Sequence, residues 1–122
     1  MNKKSRTNLI IVFGIIAVIY ILTANYFGNK RRKLEFIKFD NSKINGVVKD
    51  VYIKHHGVGF KIDKENEEFI FYPYTSDLND NKIFDHLAKR GDRIIKSRNS
   101  DTLTLISNDK KYKYTFQKFN NK

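Results

Sequence analysis

The sequence predicts a small all-β domain behind a single N-terminal membrane helix. Three observations carry this: an uncharged run, "LIIVFGIIAVIYILTANYF", from Leu9 to Phe27; basic residues crowding both of its ends; and, from Lys43 onward, short β-branched and aromatic runs broken by turn residues. The chain therefore divides into a basic tail (1–8), a transmembrane helix (9–27), a basic juxtamembrane segment (28–42) and one β domain (43–119).

As a helix rising about 1.5 Å per residue, the run covers roughly 28 Å, close to the ~30 Å hydrocarbon core of a bilayer. Its polar members, Thr23 and Asn25, lie near its C-terminal end, and Tyr26 suits the headgroup layer there. Ile and Val are mediocre helix formers in water, but lipid leaves a single segment no other way to satisfy its backbone. Two rivals are a cleaved export signal and a buried core helix. A signal peptide wants an apolar core of 7–15 residues and a small-x-small site. This run is longer, and Ala24 has only Leu22 or Tyr26 at the required spacing. A buried helix fits poorly between two strongly basic ends. The positive-inside count favours a cytoplasmic C-terminal domain, whereas the short basic tail resembles the start of an export signal. The second argument tips the expectation toward a single-pass protein of the cell membrane with its domain outside the cytoplasm.

The chain has 122 residues and a formal net charge of +11, which invites a nucleic-acid reading. Lys3, Lys4, Arg6, Lys30, Arg31, Arg32 and Lys33 stand in a stretch without acids, and suit anionic headgroups at a membrane surface. From Leu34 onward, 17 basic residues face 13 acidic ones, a net of +4. That is an ordinary solubilising value. The absence of Cys excludes disulfides, thiolate nucleophiles and Cys-based metal sites.

Strands follow in order. "KINGVVKDVYIK" is a long first strand whose alternation slips at Val47 and Val48, as a bulge would make it do. "HHG" is a turn, and "VGFKID" alternates with Val58, Phe60 and Ile62 inward. "EFIFYPY" is apolar on both faces and ends near Pro73. "DLNDNKIFDHLAKRG" is the one helical candidate: Asp77, Asn79 or Asp80 caps it, Ile83, Phe84, Leu87 and Ala88 form its apolar stripe, and Gly91 stops it. "DRIIK", "DTLTLI" and "KYKYTFQKF" complete the set, the last two joined by the hairpin turn "SND". A long first strand, a helix after the third and a "GD" opening the fourth resemble an OB-fold barrel, with an SH3-like barrel or an open meander as alternatives. The resemblance covers residues 43–119 and implies a small closed β-barrel with one short helix.

Few residues point to chemistry. His55, His56 and His86 lack metal-site spacing and read as turn and helix-surface residues; no metal and no cofactor are expected. Glu65, Glu67 and Glu68 read as a solvated hairpin tip, and no phosphate loop or activated nucleophile is visible, so the domain reads as non-catalytic. Arg90-Gly91-Asp92 matches an adhesion tripeptide, but a helix stop followed by a turn carboxylate explains it more simply. The densest basic patch is Lys89, Arg90, Arg93, Lys96 and Arg98. Beside Tyr72 and Tyr74 it would make a groove for single-stranded nucleic acid or another anionic polymer. The blander account is a helix C-terminus followed by an outward strand face. The favoured function is a membrane-tethered, non-catalytic module for a protein partner, since a tether raises local concentration and relaxes the affinity required. Polymer binding through the patch and tyrosines is the alternative.

Overall fold

The computed structural model describes residues 3–119 and divides into two compact units, 1–32 and 33–122. The described residues of the first lie in one long helix, α1 (Lys3–Asp40), which is long and apolar enough to cross a membrane by length and composition. Every side chain from Leu9 to Phe27 is exposed.

The second unit begins with the last turns of α1, because the helix does not stop in the basic segment. Beyond it "LEFIKFD" places Phe36 and Phe39 on one side, and both are buried. Six antiparallel strands follow: β1 (Ile44–Lys54), β2 (Gly57–Ile62), β3 (Glu68–Phe71), β4 (Arg93–Lys96), β5 (Thr102–Ser107) and β6 (Lys110–Thr115), in the sheet order β3-β2-β1-β4-β5-β6. β1 serves both halves: Ile44–Val47 pair with β4, and Val48–Lys54 pair with β2. The register shifts between Val48 and Asp50, one step past the slip in alternation that the sequence shows.

The expected small β-barrel, OB-like or SH3-like, is not what forms. The sheet is open, and β3 and β6 meet only at an isolated bridge between Pro73 and Phe116. The Tyr74 N–H donates to the Thr115 carbonyl at 2.8 Å and the Gln117 N–H to the Tyr72 carbonyl at 2.9 Å around this bridge, with Pro73 in the non-hydrogen-bonded position, where its missing N–H is tolerated. Each edge is instead occupied locally. Lys38 Nζ donates to the Glu68 carbonyl at 2.7 Å on β3, while Asn79 Nδ2 donates to the Lys113 carbonyl at 3.1 Å on β6. Blocked edges resist pairing between molecules without closure.

The expected helix also splits. Ser76 caps a 3₁₀ turn (Asp77–Asn79), Asp80 and Asn81 take left-handed backbone, and only α2 (Phe84–Leu87) is α-helical. Asn79 does not cap the helix but is buried, also donating to the Tyr74 carbonyl and accepting from the Ser76 N–H.

The core is largely aromatic. Phe39 stacks on Phe71 at 4.9 Å and meets Phe116 edge-on at 4.9 Å, while Phe84 packs edge-on against Phe71 and Tyr114. Tyr114 is fully buried, its hydroxyl donating to the Lys82 carbonyl; burial pushes its pKa up to about 12. Lys96 closes the other side. Its ammonium donates to the carbonyls of Asp40, Ser42 and Ser97 at 3.0–3.2 Å and lies 4.9 Å from the Phe39 ring centre. A buried cation thus terminates α1, where the carbonyl ends of a helix favour positive charge. Burial pulls its pKa below the usual lysine value, against the pull of Asp40.

Candidate functional site

Two surfaces of the second unit stand out, one at an end of the sheet and one on its outer face. The first is built on the turn between β1 and β2. His55 and His56 both adopt positive φ (53° and 65°), an uncommon pairing for residues other than Gly or Asn. Three contacts hold it. Tyr72 Oη donates to the His55 carbonyl at 2.7 Å, His55 Nδ1 lies 2.8 Å from Glu35 Oε1 on α1, and the Tyr72 ring packs on Gly57. A Cβ on Gly57 would come within 2.9 Å of that ring. Beside the turn lies a depression of about 260 Å³ lined by Ile53, His56, Tyr72, Tyr74, Ile83 and Asp85, among others. Ile53, Tyr74 and Ile83 are 62%, 51% and 45% exposed.

The second surface follows from strand alternation. Ile94, Leu103, Leu105 and Tyr114 point inward and are fully buried, so their neighbours face out. The register aligns two outward rows across three strands: Arg93–Ile106–Lys111 and Ile95–Thr104–Lys113. Neither row contains a carboxylate. Arg93 Nη1 donates to Asn45 Oδ1 at 2.8 Å, and Lys111 and Lys113 have no ion-pair partner among the described residues.

The outer face of β1–β2–β3 is arranged differently. Gly59 opens a path for Tyr52 to lie across β2 and donate its hydroxyl to Glu68 on β3; a Cβ at Gly59 would meet the Tyr52 ring at 2.5 Å. Lys54 Nζ donates to Glu68 Oε1 at 2.8 Å. The hydrogen bond from Lys54, then that from Tyr52, holds the Glu68 carboxyl below its usual range. Burial, reinforced by Glu68, raises the Tyr52 phenol well above its ordinary value.

The residues singled out in the sequence do not gather in one place. Tyr72 and Tyr74 both line the depression by the β1–β2 turn, but none of Lys89, Arg90, Arg93, Lys96 and Arg98 does. Arg93 lies on the outer sheet face, and Lys96 is buried with its three N–H groups engaged. Lys89 Nζ reaches Asn108 Oδ1 at 3.4 Å, Arg90 is exposed, and Arg98 borders a polar depression with Glu65 and Glu67. Asp92 is buried, accepting from the Lys89 N–H at 3.0 Å, as a turn carboxylate does. Along α1, Lys3, Lys4, Arg6, Lys30, Arg31 and Lys33 are exposed, and Arg32 donates to Asn29. The contacts of Glu35 and Lys96 carry no signal in the sequence. The cationic rows were within reach of it, through the alternation of "DRIIK" and "KKYKYTF".

Among the described residues, no group of three or more His, Asp or Glu side chains is placed to hold a metal ion. His86 is exposed, 3.8 Å from Asp85. No family model matches the chain, and no curated protein or solved structure matches it.

Proposed function

We propose that the chain is a membrane-anchored, non-catalytic interaction module whose sheet unit meets a protein partner at the bilayer. One observation carries this reading: the whole apolar run from Leu9 to Phe27 is exposed, while the sheet unit fills its core without it. A continuous apolar surface of that size is not left to water, and lipid is the cover that a helix of this length fits. Lys3, Lys4, Arg6, Lys30, Arg31, Arg32 and Lys33 then meet anionic headgroups, worth about 1 kcal/mol each near the surface. We assign the partner to the outer face of β4–β5–β6, and expect acidic side chains on it opposite Arg93, Lys111 and Lys113. The domain is placed outside the cytoplasm on the character of the basic tail.

Alkaline extraction of membranes tests the anchor. The full chain should stay with the membrane pellet, and Val12→Lys with Ile16→Lys should release it, since each charge at a span centre costs about 2.5–3.5 kcal/mol on insertion scales. Recovery of the unaltered chain in the alkaline supernatant would contradict the proposal. Because there is no native Cys, Asn66→Cys in the exposed β2–β3 loop reports sidedness. Labelling by an impermeant thiol reagent in intact cells is expected, and labelling only after lysis would reverse the orientation.

A further inference from the structure

The outer face of β4–β5–β6 calls for acids, and the chain carries candidates of its own. Most carboxylates of the sheet unit are already engaged. Glu68 accepts from Tyr52 and Lys54, Asp80 pairs with Lys110, Asp101 pairs with Lys118, and buried Asp92 accepts from the Lys89 N–H. The β2–β3 loop, residues 63–67, differs. Its Asp63, Glu65 and Glu67 are exposed and have no ion-pair partner among the described residues. Glu65 and Glu67 border an open depression with Lys43, Phe69 and Arg98, and neither cation comes within ion-pair distance of them. Both acids thus turn to the side of Phe69, away from the outer face on which Lys61 and Glu68 stand.

Spacing matches as well as sign. Lys111 and Lys113 are two residues apart on one face of β6, about 6.6 Å along the strand. Glu65 and Glu67 are also two residues apart and share one side of their loop. Two carboxylates can therefore meet two ammoniums side by side.

One copy cannot bring these groups together. Pro73 pairs antiparallel with Phe116. Glu67 stands six residues before Pro73 and Lys113 three before Phe116, so the two lie on opposite sides of that bridge. Nine residues of extended chain put them about 30 Å apart, beyond the reach of a glutamate and a lysine together. A contact between loop and face is made between copies. We infer that the β2–β3 loop of one copy docks on the outer face of β4–β5–β6 of another, Glu65 and Glu67 meeting Lys111 and Lys113. The inference rests on the assignment of a partner to this face, and names that partner as a second copy of the chain. Loop and face are different patches, so the contact is head-to-tail, and each copy both gives one and receives one. Exposed ion pairs are individually weak, but copies held in one membrane meet at high effective concentration.

The chain has no Cys, so engineered pairs report on the contact without background from the chain itself. Two differently tagged full chains, one carrying Asn66→Cys and the other Thr104→Cys, are co-expressed, and their membranes are treated with a short bismaleimide. Mixed dimers bearing both tags should form, while either chain expressed alone should give none. A chain with both substitutions should give a ladder of multiples, as a head-to-tail contact requires. Adding Lys111→Glu and Lys113→Glu to the Thr104→Cys chain should cut mixed dimers about tenfold, since like charges then face each other. Glu65→Lys and Glu67→Lys in the other chain should restore them. Dimers from either chain alone at the yield of the mixture, or a loss that the reversed loop does not rescue, would overturn the inference. Absence of mixed dimers, with a photo-reactive side chain at Thr104 capturing a different protein, would overturn self-association and leave the face assigned to that protein. Absence of both would remove the assignment as well.

Discussion

On the outer surface of β1–β2–β3, charges are matched. Glu68 takes hydrogen bonds from Tyr52 and Lys54, and Lys61 stands in register with both Asp50 and Glu68. On the outer surface of β4–β5–β6, Arg93, Lys111 and Lys113 stand in rows with Ile and Thr and no acid. Both halves hang from β1 and enclose the same core, so folding does not require the second arrangement. Cations left uncompensated on a sheet face gain nothing from each other, which is why the proposed partner is assigned to this face. The paired face is tied together by its own side chains; the unpaired face is the one to which we assign the proposed partner.

The strongest way to break this comparison is to remove what joins the halves. Phe39 touches Phe60, Phe69 and Phe71 on one side and lies under the Lys96 ammonium on the other. Phe39→Ala should cost about 3–5 kcal/mol, the range for emptying an aromatic core position. Denaturant titration of the sheet unit's near-ultraviolet tyrosine signal, in the full chain in detergent, would read it. A loss under about 1 kcal/mol would mean that the last turns of α1 are not part of the core.

Gly59→Ala acts on the paired half alone. Its Cβ would meet the Tyr52 ring at 2.5 Å and drive that ring off Glu68. The expected loss is about 1–3 kcal/mol, as for other overpacked sites. In a Tyr52→Ala background the same change should cost much less, since nothing then lies over the glycine. Equal costs in both backgrounds would show that the ring does not occupy that path.

Acid should separate the halves more finely. The Glu68 pKa lies below its ordinary value of 4.5 in the folded state, so its contribution is complete above that value and is lost as pH falls through the lowered one. Glu68→Gln should therefore destabilise the unit at neutral pH, and the gap to the unaltered chain should close as pH drops below 4.5. A gap independent of pH would remove the carboxylate's charge from the account.

Much of this architecture was legible from residue patterns. The apolar run, six strands, a bulge in the first and the "SND" hairpin all follow from periodicity and turn chemistry. The α1 extension did not. Lys30–Lys33 looks like the end of a membrane helix, and Phe39 acquires its partners only when "EFIF" and Phe116 converge on it. Strand order suggests closure into a barrel, but it does not reveal that the two sheet edges meet at a single bridge, Pro73 with Phe116. Lys96 reads as surface charge because it stands in a basic stretch with Arg93 and Arg98. Its burial depends on carbonyls at Asp40 and Ser42, more than fifty residues away in the chain. Of the site, Tyr72 and Tyr74 could be flagged from sequence, but Ile53 and Ile83 join them only through the fold.

Neutralising the unpaired face with Arg93→Gln, Lys111→Gln and Lys113→Gln should have the smallest effect on folding, within about 0.5 kcal/mol for such surface positions. Its effect on partner engagement should be the largest, and this contrast is the core of the account. A photo-reactive side chain at Thr104, between Ile95 and Lys113, is compared in native membranes with one at Lys61 on the paired face. The account predicts a protein adduct of defined mass from position 104 alone, which the triple substitution abolishes while the fold survives. Adducts of the same mass from both faces, or an adduct at 104 that persists without the three cations, would contradict it.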